Sequence, residues 1–109
     1  RFAGATDWPA ILRLYKGLYD ITASPVVAIN MAVAVAEVEG WAAGLAALPQ
    51  LAENPELIQF QPYHAARAEL LTRAGRTEEA REAYGLAIGL ETDPAIRRFL
   101  LAKANSKMQ

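Results

Sequence analysis

The sequence predicts an all-α protein of about six helices, and three observations carry that prediction. Alanine fills 23 of 109 positions and leucine 13, against three Phe and four Tyr. Both residues have high helix propensity, and alanine lets helices approach closely. Hydrophobic residues make up 53% and charged residues 21%, which supplies a core and excludes a disordered tail or a basic nucleic-acid-coating arm. Apolar residues recur at spacings of three and four, and nowhere alternate in twos for more than a few positions, so no strands are expected. At this length the chain reads as one domain, residues 1–109.

The first helix follows Thr6 and Asp7, either of which is a suitable cap, with Pro9 in the first turn. Trp8, Ile11, Leu12, Tyr15, Leu18 and Tyr19 then fall on one face, which is expected to be buried, against the second helix or against regions upstream. Ser24 caps a second helix that has Pro25 at its first position. From Val26 to Val38 this helix is apolar nearly all round, so it belongs in the interior. Gly40 ends it, where a left-handed residue is wanted. A third helix runs from Trp41 towards Leu48, and Pro49 ends or kinks it. Glu53-Asn54-Pro55 reads as a loop. Pro62 opens a fourth helix, Tyr63 to Ala74, closed by Gly75. Thr77 is the expected cap of the fifth, with Glu78 and Glu79 in its first turn beside the positive end of the helix dipole. Asp93-Pro94 repeats the cap-plus-proline signature and starts a sixth helix that ends near Lys107.

The spacing between these elements repeats. Gly40 and Gly75 lie 35 residues apart, each between two helices, and the pairs Tyr15–Pro25 and Tyr84–Pro94 lie 69 apart. That is about one and two periods of a 34-residue helical-hairpin repeat. Ala68, Ala80, Tyr84 and Ala87 fall where the tetratricopeptide pattern places small, small, aromatic and small residues. The middle unit is degenerate, with Leu45 and Pro49 where alanine and an aromatic are expected. The expected architecture is therefore a set of antiparallel helical hairpins stacked as a short tetratricopeptide-like superhelix.

The sequence offers little reactive chemistry. Cysteine is absent, which removes disulfides, thiolate zinc sites and cysteine nucleophiles. His64 is the single histidine, so no zinc ligand set forms around it, and a packed, hydrogen-bonded histidine is the better reading. Glu78, Glu79 and Glu82 read as a solvated face in which Glu78 pairs with Arg81. Ser24 is a cap with no glycine elbow around it, and Gly85 and Gly89 are isolated helix glycines rather than a phosphate loop. The expectation is a non-enzyme without cofactor or metal. The longest apolar run, Pro25 to Ala36, is 12 residues where a membrane span needs about 20. No signal-peptide pattern is visible. The chain opens on Arg1 rather than Met and reads as a piece of a larger protein. Net charge is −1, and the four basic residues after Pro94 (Arg97, Arg98, Lys103, Lys107) are expected to solvate a helix end rather than to bind DNA. In the repeat register, Asn30, Glu37, Glu69 and Thr72 fall on the concave face that helical-repeat proteins use for binding, and they are the candidate protein-interaction groove. Asn30 also stands alone as a polar residue in an apolar helix, where burial would oblige it to find a partner.

Several runs together resemble a known family. They are Asp7-Trp8 with Ile11 and Tyr15, then 24–30 (SPVVAIN), then 32–38 (AVAVAEV) with Gly40 and 43–45 (AGL). The run 63–71 (YHAARAELL) with Gly75-Arg76 continues the pattern. The chain, over roughly residues 7 to 101, resembles the C-terminal tetratricopeptide-like extension of a group of bacterial extracytoplasmic-function (ECF) RNA polymerase sigma factors. It departs from that pattern at Met31, Trp41 and Pro49. The resemblance implies a cytoplasmic regulatory domain of a transcription factor whose DNA-reading regions lie upstream. Its partners would be those sigma regions, core RNA polymerase, or both. A tetratricopeptide-like scaffold that senses a ligand or peptide, unattached to a sigma factor, is the alternative.

Overall fold

The computed structural model describes residues 6–108, with the backbone alone at 106–108. Six α-helices lie among the described residues: α1 Trp8–Thr22, α2 Pro25–Glu39, α3 Trp41–Ala47, α4 Gln61–Arg73, α5 Thr77–Leu90 and α6 Pro94–Met108. A short 3₁₀ helix, Pro55–Gln59, precedes α4, and no strand occurs among the described residues. The chain divides into two compact units, Arg1–Leu48 and Pro49–Gln109. None of these helices is long and apolar enough to cross a membrane.

In the first unit the caps act as their residue types dictate. Asp7 accepts the Ala10 N–H at 3.1 Å, and the Ser24 hydroxyl accepts that of Val26 at 3.2 Å, each satisfying an orphan donor at a helix start. Between them α1 closes on Ala23, whose φ of +51° is left-handed without the benefit of glycine. Both α1 and α3 pack on α2. That is why α2 buries Ala28, Ile29, Ala32, Ala34 and Ala36 around its circumference and shows no single apolar stripe. Gly40 alone joins α2 to α3. Its φ is +107° as expected of glycine, but its ψ of 162° places it in an extended conformation outside the left-handed helical region.

Asn30 is exposed, so the condition of burial does not arise there. Two expectations for this unit need correction. The α1 face is graded rather than uniformly buried: Leu12 is in the core, Trp8, Ile11 and Tyr15 are half-buried, and Leu18 and Tyr19 are exposed. The small residue that brings α3 onto α2 is Gly44, one position before the Leu45 of the repeat register. A Cβ there would collide with the Ala36 Cβ and would stand 2.9 Å from the Ala36 Cα and 3.0 Å from the Ala32 carbonyl oxygen.

In the second unit α4 and α5 form the hairpin the repeat predicts. Ala68, Ala80 and Ala87 have no exposed surface, and neither does Ala83; Tyr84 fills the remaining space at 2% exposure. Gly75, at φ +81°, makes the turn: its N–H bonds the Thr72 carbonyl at 3.1 Å and the Arg76 N–H bonds that of Leu71 at 2.9 Å. This paired arrangement satisfies the last carbonyls of α4. It also leaves Arg76 as the sole residue between the glycine and α5. The cap position therefore falls on Arg76, and Thr77 is the first helical residue with no side-chain capping bond. Arg76 instead reaches Glu79 through two bonds of 2.7 Å.

The fourth helix begins at Gln61, two residues before the expected Tyr63, because Pro62 is tolerated inside the first turn. The expected loop around Asn54-Pro55 leads into the 3₁₀ helix, which is held by the burial of Leu57. Asp93 caps α6 by accepting the Ala95 N–H at 2.8 Å, and α6 packs on α5.

Candidate functional site

The richest polar cluster lies in the second unit, around Glu69 in the middle of α4. Its burial follows from the hairpin. Ala68 and Leu70 on either side point into the core, which leaves Glu69 half-buried at its edge. The antiparallel hairpin brings Tyr84 of α5 opposite it, and the Tyr84 hydroxyl donates to Glu69 Oε1 at 3.2 Å. Arg73, one turn further along α4, donates through Nε to Oε2 at 2.9 Å. Lys103 of α6 closes the cluster, its Nζ 2.9 Å from Oε1.

Burial by itself would push the Glu69 carboxyl up. The hydrogen bonds from Lys103 and Arg73, the Lys103 charge and the Tyr84 hydroxyl outweigh it and hold the group at about 2. The Tyr84 phenol moves the opposite way: burial and then the Glu69 charge raise it, against an opposing hydrogen bond with Thr72. Tyr84 thus remains a protonated donor, and Glu69 an ionised acceptor, over the whole neutral range. Thr72 also donates to the Ala68 carbonyl at 2.9 Å. Such a cluster can hold a charge and orient donors.

The four sequence-predicted groove residues divide between the units. Asn30 and Glu37 are seven residues apart on α2 of the first unit, hence on one helix face, and both are exposed. Glu69 and Thr72 are half-buried on α4 of the second and meet at Tyr84. Sequence reasoning had placed Tyr84 as a packing residue and missed its hydroxyl as a donor to Glu69. It had read Lys103 as part of a solvated basic end. One signal was present: Lys103 stands 34 residues after Glu69, one full repeat period.

Of the other cations after Pro94, Arg97 and Arg98 are exposed, and the side chain at position 107 lies outside the described residues. His64 is buried at 4% exposure, with Nε2 donating to the Ile58 carbonyl at 2.7 Å and its ring edge-on to Tyr63. It ties the 3₁₀ helix to α4 as a packed, hydrogen-bonded histidine. Among the described residues no three His, Asp or Glu side chains gather as metal ligands.

Comparison with known proteins finds a relative over most of the chain. The chain is 44% identical over 88 residues to an uncharacterized protein of Rhizobium meliloti (strain 1021), in a match that takes in 81% of this chain and 20% of the relative. The chain therefore spans about a fifth of the length of the curated relative it matches. No family model matches the chain, and no solved structure matches it.

Proposed function

We propose that this chain is the C-terminal regulatory domain of an ECF-type RNA polymerase sigma factor, acting by protein contact and without catalysis. The observation that carries the reading is the run from Ser24 to Gly40, which resembles that family's extension and forms one complete capped helix here. Two further facts support it. The R. meliloti relative is about five times as long as the matched segment, so there the segment is one part of a larger chain. The electrostatics disfavour DNA: net charge is −1, and Lys103, one of the four cations after Pro94, is engaged by Glu69. In this reading the domain works in the cytoplasm. It packs through its helical surfaces against the upstream sigma regions, core RNA polymerase, or both.

The test is co-purification of separately expressed sigma regions and core polymerase with this chain, beside a promoter-DNA mobility assay. Capture of either protein, weakened by Glu37→Lys with the helical signal intact, is the expected result. Sequence-specific DNA binding at physiological salt without protein capture would overturn the proposal. Ligand-dependent thermal stabilisation without protein capture would favour the sensing scaffold instead.

A further inference from the structure

The attachment of α6 to the hairpin is thin for a 15-residue helix. Among its described residues Leu100 is the buried apolar side chain, while Ile96, Phe99 and Leu101 keep 43%, 61% and 44% of their surface exposed. Its polar tie is the Lys103–Glu69 pair, with the Lys103 ammonium also 5.8 Å from the centre of the Phe99 ring. By contrast α4 and α5 share a seam of four fully buried alanines and Tyr84. The hinge before α6 is short and polar, with Asp93 held by Glu91 and capping the helix in turn. From Pro94 onward α6 carries cations and no acid. It is therefore a cationic helix, with much of its apolar surface still exposed, resting on a carboxylate.

We propose that α6 is a displaceable strap: its Lys103 occupies the Glu69 carboxylate to which a cationic helix of a partner binds, so that partner binding and α6 docking exclude each other. The proposal rests on the protein-contact reading above and names the chemistry of the contact. Three features favour it. Glu69 is ionised at every physiological pH, and half of its environment is already built from α4 and α5 by Arg73 and Tyr84. A competing ammonium or guanidinium gains the same two-sided setting that Lys103 has. Among the described residues the displaced strap loses the burial of Leu100 and the Lys103–Glu69 pair, a small barrier beside that of opening the hairpin. A helix of this length is also marginal in water once undocked, so release of α6 is accompanied by fraying that hydrogen exchange detects.

The probe is a labelled, end-blocked peptide of residues 94–105, which has the chemistry proposed for the partner, titrated against the full 109-residue chain at low salt. The strap is weakened by Lys103→Met, which keeps most of the aliphatic stem. Arg98→Ala removes the same charge from an exposed position and serves as the charge-matched control. Lys103→Met is expected to bind the peptide at least fivefold more tightly than Arg98→Ala. Adding Glu69→Gln to Lys103→Met is expected to remove that gain. In the unmodified chain, saturating peptide should speed amide exchange in α6 and leave α4 and α5 protected. Equal binding by the two single variants, or exchange in α6 that keeps pace with α4 and α5 throughout, overturns the proposal. Failure of the sigma regions to co-purify bears on the protein reading alone, because this titration uses none of them.

Discussion

The two units of this chain solve the same problem, packing three short helices, with different chemistry. In Arg1–Leu48 the helices meet through the absence of side chains: Ala32 and Ala36 face Gly44, and a glycine is the whole connection between α2 and α3. All four ion pairs found among the described residues lie in the other unit, where Glu69 receives bonds from three helices and His64 ties a 3₁₀ turn to α4. Close approach is non-directional and intolerant of any added atom. Directional ties tolerate space and are sensitive to charge. Both units should accordingly respond to steric change, and the second to titration as well.

The largest effect is expected where the second unit relies on size. Tyr84→Ala should cost about 3–5 kcal/mol, the range for removing a buried aromatic ring. Urea unfolding followed by the helical signal measures it; a midpoint unchanged from the parent would show that Tyr84 is not the hairpin's keystone. Gly44→Ala comes next and tests the first unit. The added methyl should cost about 1–3 kcal/mol through overpacking, more than the roughly 1 kcal/mol of helix propensity it gains. Tryptophan emission is the natural probe, because both tryptophans, Trp8 and Trp41, lie in that unit.

Gly75→Ala should cost about 1 kcal/mol because its φ of +81° is unfavourable for an L side chain, and Gly75→Val should cost more. The opposite sign is expected at Gly85, a glycine inside α5 with open space where a Cβ would lie. There Gly85→Ala should stabilise by up to about 1 kcal/mol. Equal signs at Gly44 and Gly85 would show that the close approach of α3 to α2 at Gly44 does not limit side-chain size.

The smallest effect is the titration. The folded Glu69 group sits at about 2, below the ordinary value of 4.5. Its stabilising contribution is thus complete above the unfolded value and is lost as pH falls from about 4.5 through 2. Part of the group is solvated, so the loss is modest. Comparing the acid limb of stability for the parent with that of Glu69→Gln isolates it. A flatter limb in the variant is expected, and superimposable limbs would assign acid sensitivity elsewhere.

What the sequence determined by itself was the local order of the chain. Asp7, Ser24 and Asp93 start helices because their side chains reach an N–H two or three residues on, and Gly75 stops one because it alone accepts the left-handed turn cheaply. The hairpin core was legible too, since Ala68, Ala80, Tyr84 and Ala87 follow a repeat period, and the register brought Glu69 and Thr72 forward as site residues. These signals act within one turn, or recur at a fixed interval.

Tertiary structure alone decided the rest. It set which face of α1 stays exposed, that Gly44 rather than Leu45 is the contact, and that Lys103 reaches back to Glu69. Each depends on which distant segments meet and at what distance. A lysine on a solvated helix end and a lysine paired with a half-buried carboxylate are the same letter in the sequence. They differ only in the desolvation and the charge that the neighbouring helices impose.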